Sequence, residues 1–423
     1  MMGLRGLPLT FMSLGMSLEI ADVAGDRGCR WRLRISLVVT NVVGGYLCLF
    51  VVLVCGHIEK IGLFMQTLFG IFFHFIGGAA SGSFYIPFKK VRGWAWESYW
   101  IVGGLFSWLI VPPLAAWLTV PHFTEIIAQA SATTFGWTFF WGLLWGVGGL
   151  LYGLGVRYLG MSLGNSVLLG FTSAFGALVP AIYYNFVPTP GKTSFHDLLS
   201  SNWGRIVLAG VALCLAGIYI CGRAGMLKEK ELPEEKKKES VQEFNLTKGL
   251  IICTVSGILS ACFNYGIEAG SSMAATANQL WHQAHPDVST KFLYQNNVTY
   301  IVLLWGGLTT NFIWCMVLNA RNRTFGDYTN RKAPLANNYF FSALAGTTWF
   351  LQFFFYGMGE SRLGNGASSW ILHMAFIILV ANLWGFALKE WKGVSSRTRV
   401  TITMGIIAIL LSVMLVGYGN SLK

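Results

Sequence analysis

Charge is what this chain has least of. Asp, Glu, Lys and Arg together supply 11% of its 423 residues, less than half of the roughly 25% usual in a soluble domain. That scarcity excludes a water-soluble globule. Cysteine is present eight times, but never in C-x-x-C spacing and never grouped with histidine at zinc spacing, which removes a dithiol centre and a structural metal site. No H-E-x-x-H occurs, and no two carboxylates fall together on one face of an apolar helix, so the common hydrolytic arrangements are missing. An enzyme is not expected, nor is a cofactor or a metal. The net charge of +12 does not imply nucleic acid either, because the basic residues sit between apolar runs and form no patch with interleaved aromatics.

What is there is apolar. Hydrophobic residues make up 54% of the sequence, with 50 glycines and 17 tryptophans, and they gather in runs of about the 20 residues a helix needs to cross a hydrocarbon core. Ten runs are expected at 65–88, 98–120, 135–156, 163–184, 205–222, 249–269, 297–319, 338–358, 366–388 and 400–419, and an eleventh, Ile35 to Gly56, precedes them. The expected fold is an all-α integral membrane protein with the lipid bilayer as its first partner. Cys48, Cys55, Cys214, Cys253, Cys262 and Cys315 lie inside or beside these runs and read as small packing residues.

One phrase occurs twice. YGLGVRYLG at Tyr152–Gly160 returns 204 residues later as YGMGESRLG at Tyr356–Gly364, and the pair Trp145/Trp349 extends the match upstream. A fainter echo joins SGSFY at Ser81–Tyr85 to SACFNY at Ser260–Tyr265. The longest polar insert, Arg223 to Gly249, divides the ten runs five and five. Because five is odd, two such units enter the membrane from opposite sides, which is the inverted-repeat plan of many transporters. The expected units are 65–222 and 249–423, with 223–248 as linker, and the doubled phrase marks the third-to-fourth turn of one and the eighth-to-ninth of the other.

Loops after runs 1, 3, 5, 7 and 9 hold 19 Lys and Arg residues, against 6 on the opposite side. The positive-inside rule therefore makes the linker cytoplasmic and places the C-terminus outside. Residues 1–64, with Arg27, Arg30, Arg32 and Arg34 ahead of the eleventh run, admit three readings. They form a genuine extra N-terminal hydrophobic helix, a signal-like segment, or sequence ahead of a natural start at Met65. A dispensable extension is the preferred one.

Polar side chains inside a membrane are expensive, at least about 2.5 kcal/mol for a charge at a helix centre, and each marks a functional candidate. His74 leads a stripe of Gly78, Ser81 and Tyr85 on the first core helix. Trp349, Gln352 and Tyr356 share a face of the eighth, and Trp145 and Tyr152 share the matching face of the third. Trp370 and His373 lie on the ninth, Asn264 on the sixth, and Glu268 nearer the end of that helix. A plainer reading stands beside each. A membrane histidine can simply bond a neighbouring helix, glycines serve close packing, and Trp94, Trp96 and Trp100 belong to an interfacial belt. Aromatic faces with an amide, hydroxyls and imidazoles but little fixed charge suit a neutral polyhydroxylated molecule, a sugar. The sugar candidates are Trp349, Gln352, Tyr356, Tyr152, Tyr85, Asn264 and Trp370. The proton candidates are His74, His373 and Glu268, histidine being poised near neutral pH.

The segments GGAASGSFYIPFKKVRGWAWE, WGLLWGVGGLLYGLGVRYLGMSLG, FNLTKGL, WFLQFFFYGMG and SWILHMAF strongly resemble the bacterial L-rhamnose/proton symporter family of the drug/metabolite transporter superfamily. The resemblance runs from about Met65 to the C-terminus. It implies a ten-helix core and import of L-rhamnose with protons across a bacterial inner membrane. A carrier or exporter of another small metabolite on the same fold, and a membrane sugar sensor that does not transport, remain the alternatives.

Overall fold

The computed structural model of the chain describes residues 17–20, 33–36, 44–231, 246–387 and 391–423, with side chains from residue 62 onward except at some positions within 153–166 and at 229, 246 and 385. The middle of the expected linker, 232–245, lies outside the described residues. Two compact units are distinguished, Met1–Gly62 and Leu63–Lys423. In the first, strands β1 (Ser17–Ile20) and β2 (Leu33–Ser36) pair antiparallel with Ser17 opposite Ser36, a local departure from the all-helical expectation. Of the run expected over 35–56, helix is described from Gly44 onward, as the start of α1 (Gly44–Ser83).

Among the described residues, nine helical stretches are long and apolar enough to cross a membrane: Gly62–Phe88, Trp96–Thr119, Ala132–Tyr152, Val167–Phe186, Asn202–Lys228, Thr247–Ala269, Asn297–Asn322, Gly366–Trp384 and Ser396–Ser421. The first includes α1 and the short α2 (Tyr85–Phe88). The second is α3 (Trp96–Gly104), a π-helical turn at Leu105–Ile110 and α4 (Val111–Thr119). Pro112 and Pro113 follow the π turn directly. They have no N–H for the carbonyls of Trp108 and Leu109, and the wider turn accommodates that gap.

After the short α5 (Phe123–Gln129), α6 runs from Ala132 to Phe186, yet it is not straight. Ser256 donates to the Gly148 carbonyl at 2.6 Å, and Thr172 donates to the carbonyl of neighbouring Gly257 at 3.1 Å. Along a straight helix Gly148 and Thr172 would stand about 36 Å apart. The chain therefore reverses between Tyr152 and Val167, and two antiparallel limbs pack on α9 (Leu246–Ala269). Between them and α9 come α7 (Phe195–Ser200) and α8 (Asn202–Glu231).

The remaining helices are α10 (Ser271–Ala284), α11 (Asn297–Asn322), α12 (Leu335–Leu363), α13 (Gly366–Ala387) and α14 (Ser396–Ser421). At 29 residues α12 is long enough to span, but its polar Asn338, Ser342 and Gln352, all buried, lower its hydropathy below that of the nine. Gly364 ends it in the left-handed region at φ 62°, a conformation open to glycine at little cost. The turn falls on the last residue of the repeated phrase.

Candidate functional site

The buried centre of the molecule is a cluster of rings brought together by α1, α12 and α13. His74 and His373 face each other with ring centroids 5.9 Å apart, and Tyr356 lies against both, at 5.3 and 5.2 Å. Trp370 closes the cluster edge-on to Tyr356 at 5.8 Å. His74, Tyr356, Trp370 and His373 expose between 0% and 3% of their surfaces. Room for the first imidazole comes from Gly359, where a Cβ would stand 2.7 Å from His74 Nε2.

The hydrogen bonding around this cluster is uneven. The Tyr356 hydroxyl donates to Asn264 Oδ1 at 3.3 Å, Asn264 Nδ2 donates to the Gly176 carbonyl at 2.8 Å, and Trp370 Nε1 donates to the Thr172 carbonyl at 2.8 Å. Both ring nitrogens of His74, Nδ1 of His373 and Nε2 of Gln352 are buried without a hydrogen-bond partner in the protein. A buried polar atom left unpaired costs about 1–3 kcal/mol. Several such atoms within one cluster mark a place that would gain by meeting hydroxyls or a proton.

One turn along α12 from Gln352 stands Trp349. It stacks on Phe84 at 4.5 Å and meets Trp100, Trp108 and Trp145 edge-on at 5.2, 5.4 and 6.3 Å. Gln352 thus lies on the helix face between an aromatic box and the histidine cluster. Trp100 and Trp108 were not among the residues the sequence singled out for this box. Trp100, expected in the interfacial belt, is 5% exposed, and its Nε1 donates to Asn311 Oδ1 at 3.0 Å. The signal that pointed here was the repeat itself, since Trp145 and Trp349 are its equivalent tryptophans and they touch.

Three expected site residues lie apart from this cluster. Tyr85 opens α2, just after α1 ends at Ser83, and unlike the buried His74 it does not face the cluster. It is exposed, with its hydroxyl 3.4 Å from that of Tyr99. Tyr152 packs with Leu168 and Cys253, about two turns beyond Trp145. Glu268 is committed elsewhere: Lys192 Nζ donates to its carboxylate at 2.6 Å and the Tyr184 hydroxyl at 2.5 Å.

A family model described as L-rhamnose-proton symport protein (RhaT) matches residues 63–422. The chain belongs to this family. The L-rhamnose-proton symporter of Yersinia pestis (strain Pestoides F) is 35% identical over 357 residues, covering 83% of this chain and 98% of the relative. That of Shigella boydii serotype 18 (strain CDC 3083-94 / BS512) is 36% identical over 355 residues, covering 83% and 97%. The resemblance read from the sequence is therefore borne out. The family is one of transporters and not of enzymes, and the match begins next to the boundary between the two compact units.

Proposed function

We propose that the chain imports L-rhamnose together with protons by alternating access, as a multi-pass protein of the bacterial inner membrane. The observation that carries the site is the buried ring cluster of His74, Tyr356, Trp370 and His373 with its unpaired imidazole and amide atoms. Sugar C–H faces stack on aromatic rings, and sugar hydroxyls pair with imidazole and amide groups. In this proposal the sugar lies between the Trp349 box and Tyr356, against Gln352 and Trp370, while His74 and His373 carry the proton. Glu268 keeps its partners Lys192 and Tyr184.

The proposed architecture is a ten-helix core of two inverted five-helix repeats, 65–222 and 249–423. The linker 223–248 is cytoplasmic and residues 1–64 are dispensable. The contact of Trp145 with Trp349 at 6.3 Å supports it, because equivalent residues of two repeats meet where they lie near the axis relating them. Proton and sugar enter from outside, the repeats rock, and loss of the proton to the cytoplasm weakens sugar binding. The test is uptake of radiolabelled L-rhamnose into proteoliposomes under an imposed inside-negative potential. Uptake that rises above equilibrium and collapses with a protonophore is expected. Binding without entry would instead identify a sensor, and absence of any binding would remove the sugar assignment.

A further inference from the structure

The second limb of α6, Val167–Phe186, contains Pro180 within its helix. In an uninterrupted helix the N–H of residue 180 would bond the carbonyl four residues earlier, that of Gly176. Proline has no N–H to give. The donor that reaches the Gly176 carbonyl comes from another helix, Asn264 Nδ2 of α9, at 2.8 Å. Neighbouring carbonyls are held in the same way, Thr172 by Trp370 Nε1 at 2.8 Å and Phe175 by the Tyr265 hydroxyl at 3.1 Å. A Cβ on residue 176 would stand 2.1 Å from Trp370 Nε1, so glycine is what lets the indole reach this backbone.

The other end of the Asn264 amide, Oδ1, accepts from the Tyr356 hydroxyl at 3.3 Å, and the Tyr356 ring touches both His74 and His373. A half-buried proline interruption, its orphaned carbonyl, one amide and the residue at the centre of the histidine cluster thus form a single chain of contacts. Helices bend where the ladder is broken. Asn264 is 2% exposed, and both ends of its amide are engaged, which fits a bridging group better than the sugar contact its sequence position suggested.

We propose that Asn264 is a positioning residue of transport: its amide stands in for the N–H that Pro180 lacks and ties the Gly176 carbonyl to Tyr356, so that bending at Pro180 and the seating of Tyr356 against the histidines move together. The transport part of this rests on the function proposed above, and the bonding part does not.

The experiment is a double-variant cycle on the full chain, comparing the native protein, Asn264→Leu, Pro180→Ala and the pair. Thermal melting in detergent is read beside L-rhamnose counterflow in proteoliposomes. Pro180→Ala returns a backbone donor to the Gly176 carbonyl, so Asn264→Leu should lower the melting temperature clearly in the native background and much less on Pro180→Ala. Rescue of folding by the second change, should Asn264→Leu alone not fold, is the same result in stronger form. Equal losses in both backgrounds, or failure of the pair to fold, would overturn the bridging role. In counterflow, either single change should lower the maximal exchange rate about tenfold with the KM for L-rhamnose within about threefold. A large rise in KM at unchanged maximal rate in Asn264→Leu would make Asn264 a sugar contact, and native-rate exchange by Pro180→Ala would remove the hinge. If the native chain exchanges no L-rhamnose, the substrate reading fails, while the melting cycle still decides the bond.

Discussion

An inside-negative potential of about 100 mV does about 2.3 kcal/mol of work on each entering charge. At one tenfold per about 1.36 kcal/mol, one proton per sugar sustains accumulation of about fifty-fold, and two would sustain about 2,400-fold. The spacing of the histidines favours the first. With His74 and His373 ring centroids 5.9 Å apart, two unit charges would repel by about 2.8 kcal/mol at an effective dielectric constant of about 20. That penalty disfavours a second proton about a hundredfold. Proteoliposomes held at about 100 mV by a potassium diffusion potential, without a pH gradient, should therefore concentrate L-rhamnose to a plateau near fifty-fold. His74→Gln and His373→Gln should each bring the ratio to about one while leaving sugar counterflow measurable, since exchange moves no net proton. A plateau in the thousands would refute the single shared proton. Gradient accumulation retained by both variants, with normal proton uptake, would refute the histidines and return the role to Glu268.

Replacing Gln352 by Leu removes a buried amide nitrogen that has no partner, so the detergent melting temperature should hold or rise, while L-rhamnose affinity falls about tenfold or more for a lost contact of about 1.4 kcal/mol. Unchanged affinity would take Gln352 out of the sugar site. A cysteine placed at Ser240 should escape a membrane-impermeant thiol reagent in intact cells, and labelling there would reverse the orientation drawn from the 19 to 6 basic asymmetry. Expression from Met65 should retain uptake, and a protein that inserts but does not transport would give the first 64 residues a role. Glu231 accepts from the Ser395 hydroxyl and backbone and from Thr398, which hold its carboxyl below the usual carboxylate range. Its folded pKa being lowered, this cap on α14 is fully present above an ordinary carboxylate pKa of about 4.3 and is lost as pH falls through the lower folded value. Glu231→Gln should accordingly change melting above pH 5 and leave it unchanged at strongly acid pH, and a pH-independent effect would contradict the capping role.

Helices were legible where apolar length alone decides them, and nine of the expected runs reappear as spanning stretches. The eighth, read as an apolar run at 338–358, falls within α12, although its inward polar face takes it below the nine in hydropathy. Candidates on one helix face were legible by spacing. The spacing that joined Trp349, Gln352 and Tyr356 holds along α12, whereas Tyr85, read on the face of His74, is exposed beside Tyr99 while His74 is buried. The pairing of His74 with His373 was beyond the sequence, because it depends on how α1 and α13 approach, and periodicity does not specify distances between helices. Trp100 was misplaced for a related reason: a tryptophan at a helix start looks the same whether it meets lipid headgroups or, as here, Asn311 of another helix. The role of Asn264 was hidden too, since the carbonyl it serves is orphaned by a proline 84 positions away in the chain.

The inward polar face of α12 bears on how the protein is made. Asn338, Ser342 and Gln352 are paired or enclosed only once α12 is surrounded by its neighbours: Asn338 exchanges two bonds with the backbone of Arg92, 246 residues upstream. Released alone into lipid during synthesis, this segment would expose those groups to hydrocarbon, where nothing replaces the lost bonds. The tight turn at Gly364 places the more apolar α13 directly behind it. The helix that bears Trp349, Gln352 and Tyr356 is therefore the one whose polar face depends most on the assembled bundle, since its Asn338 finds its partners only at Arg92.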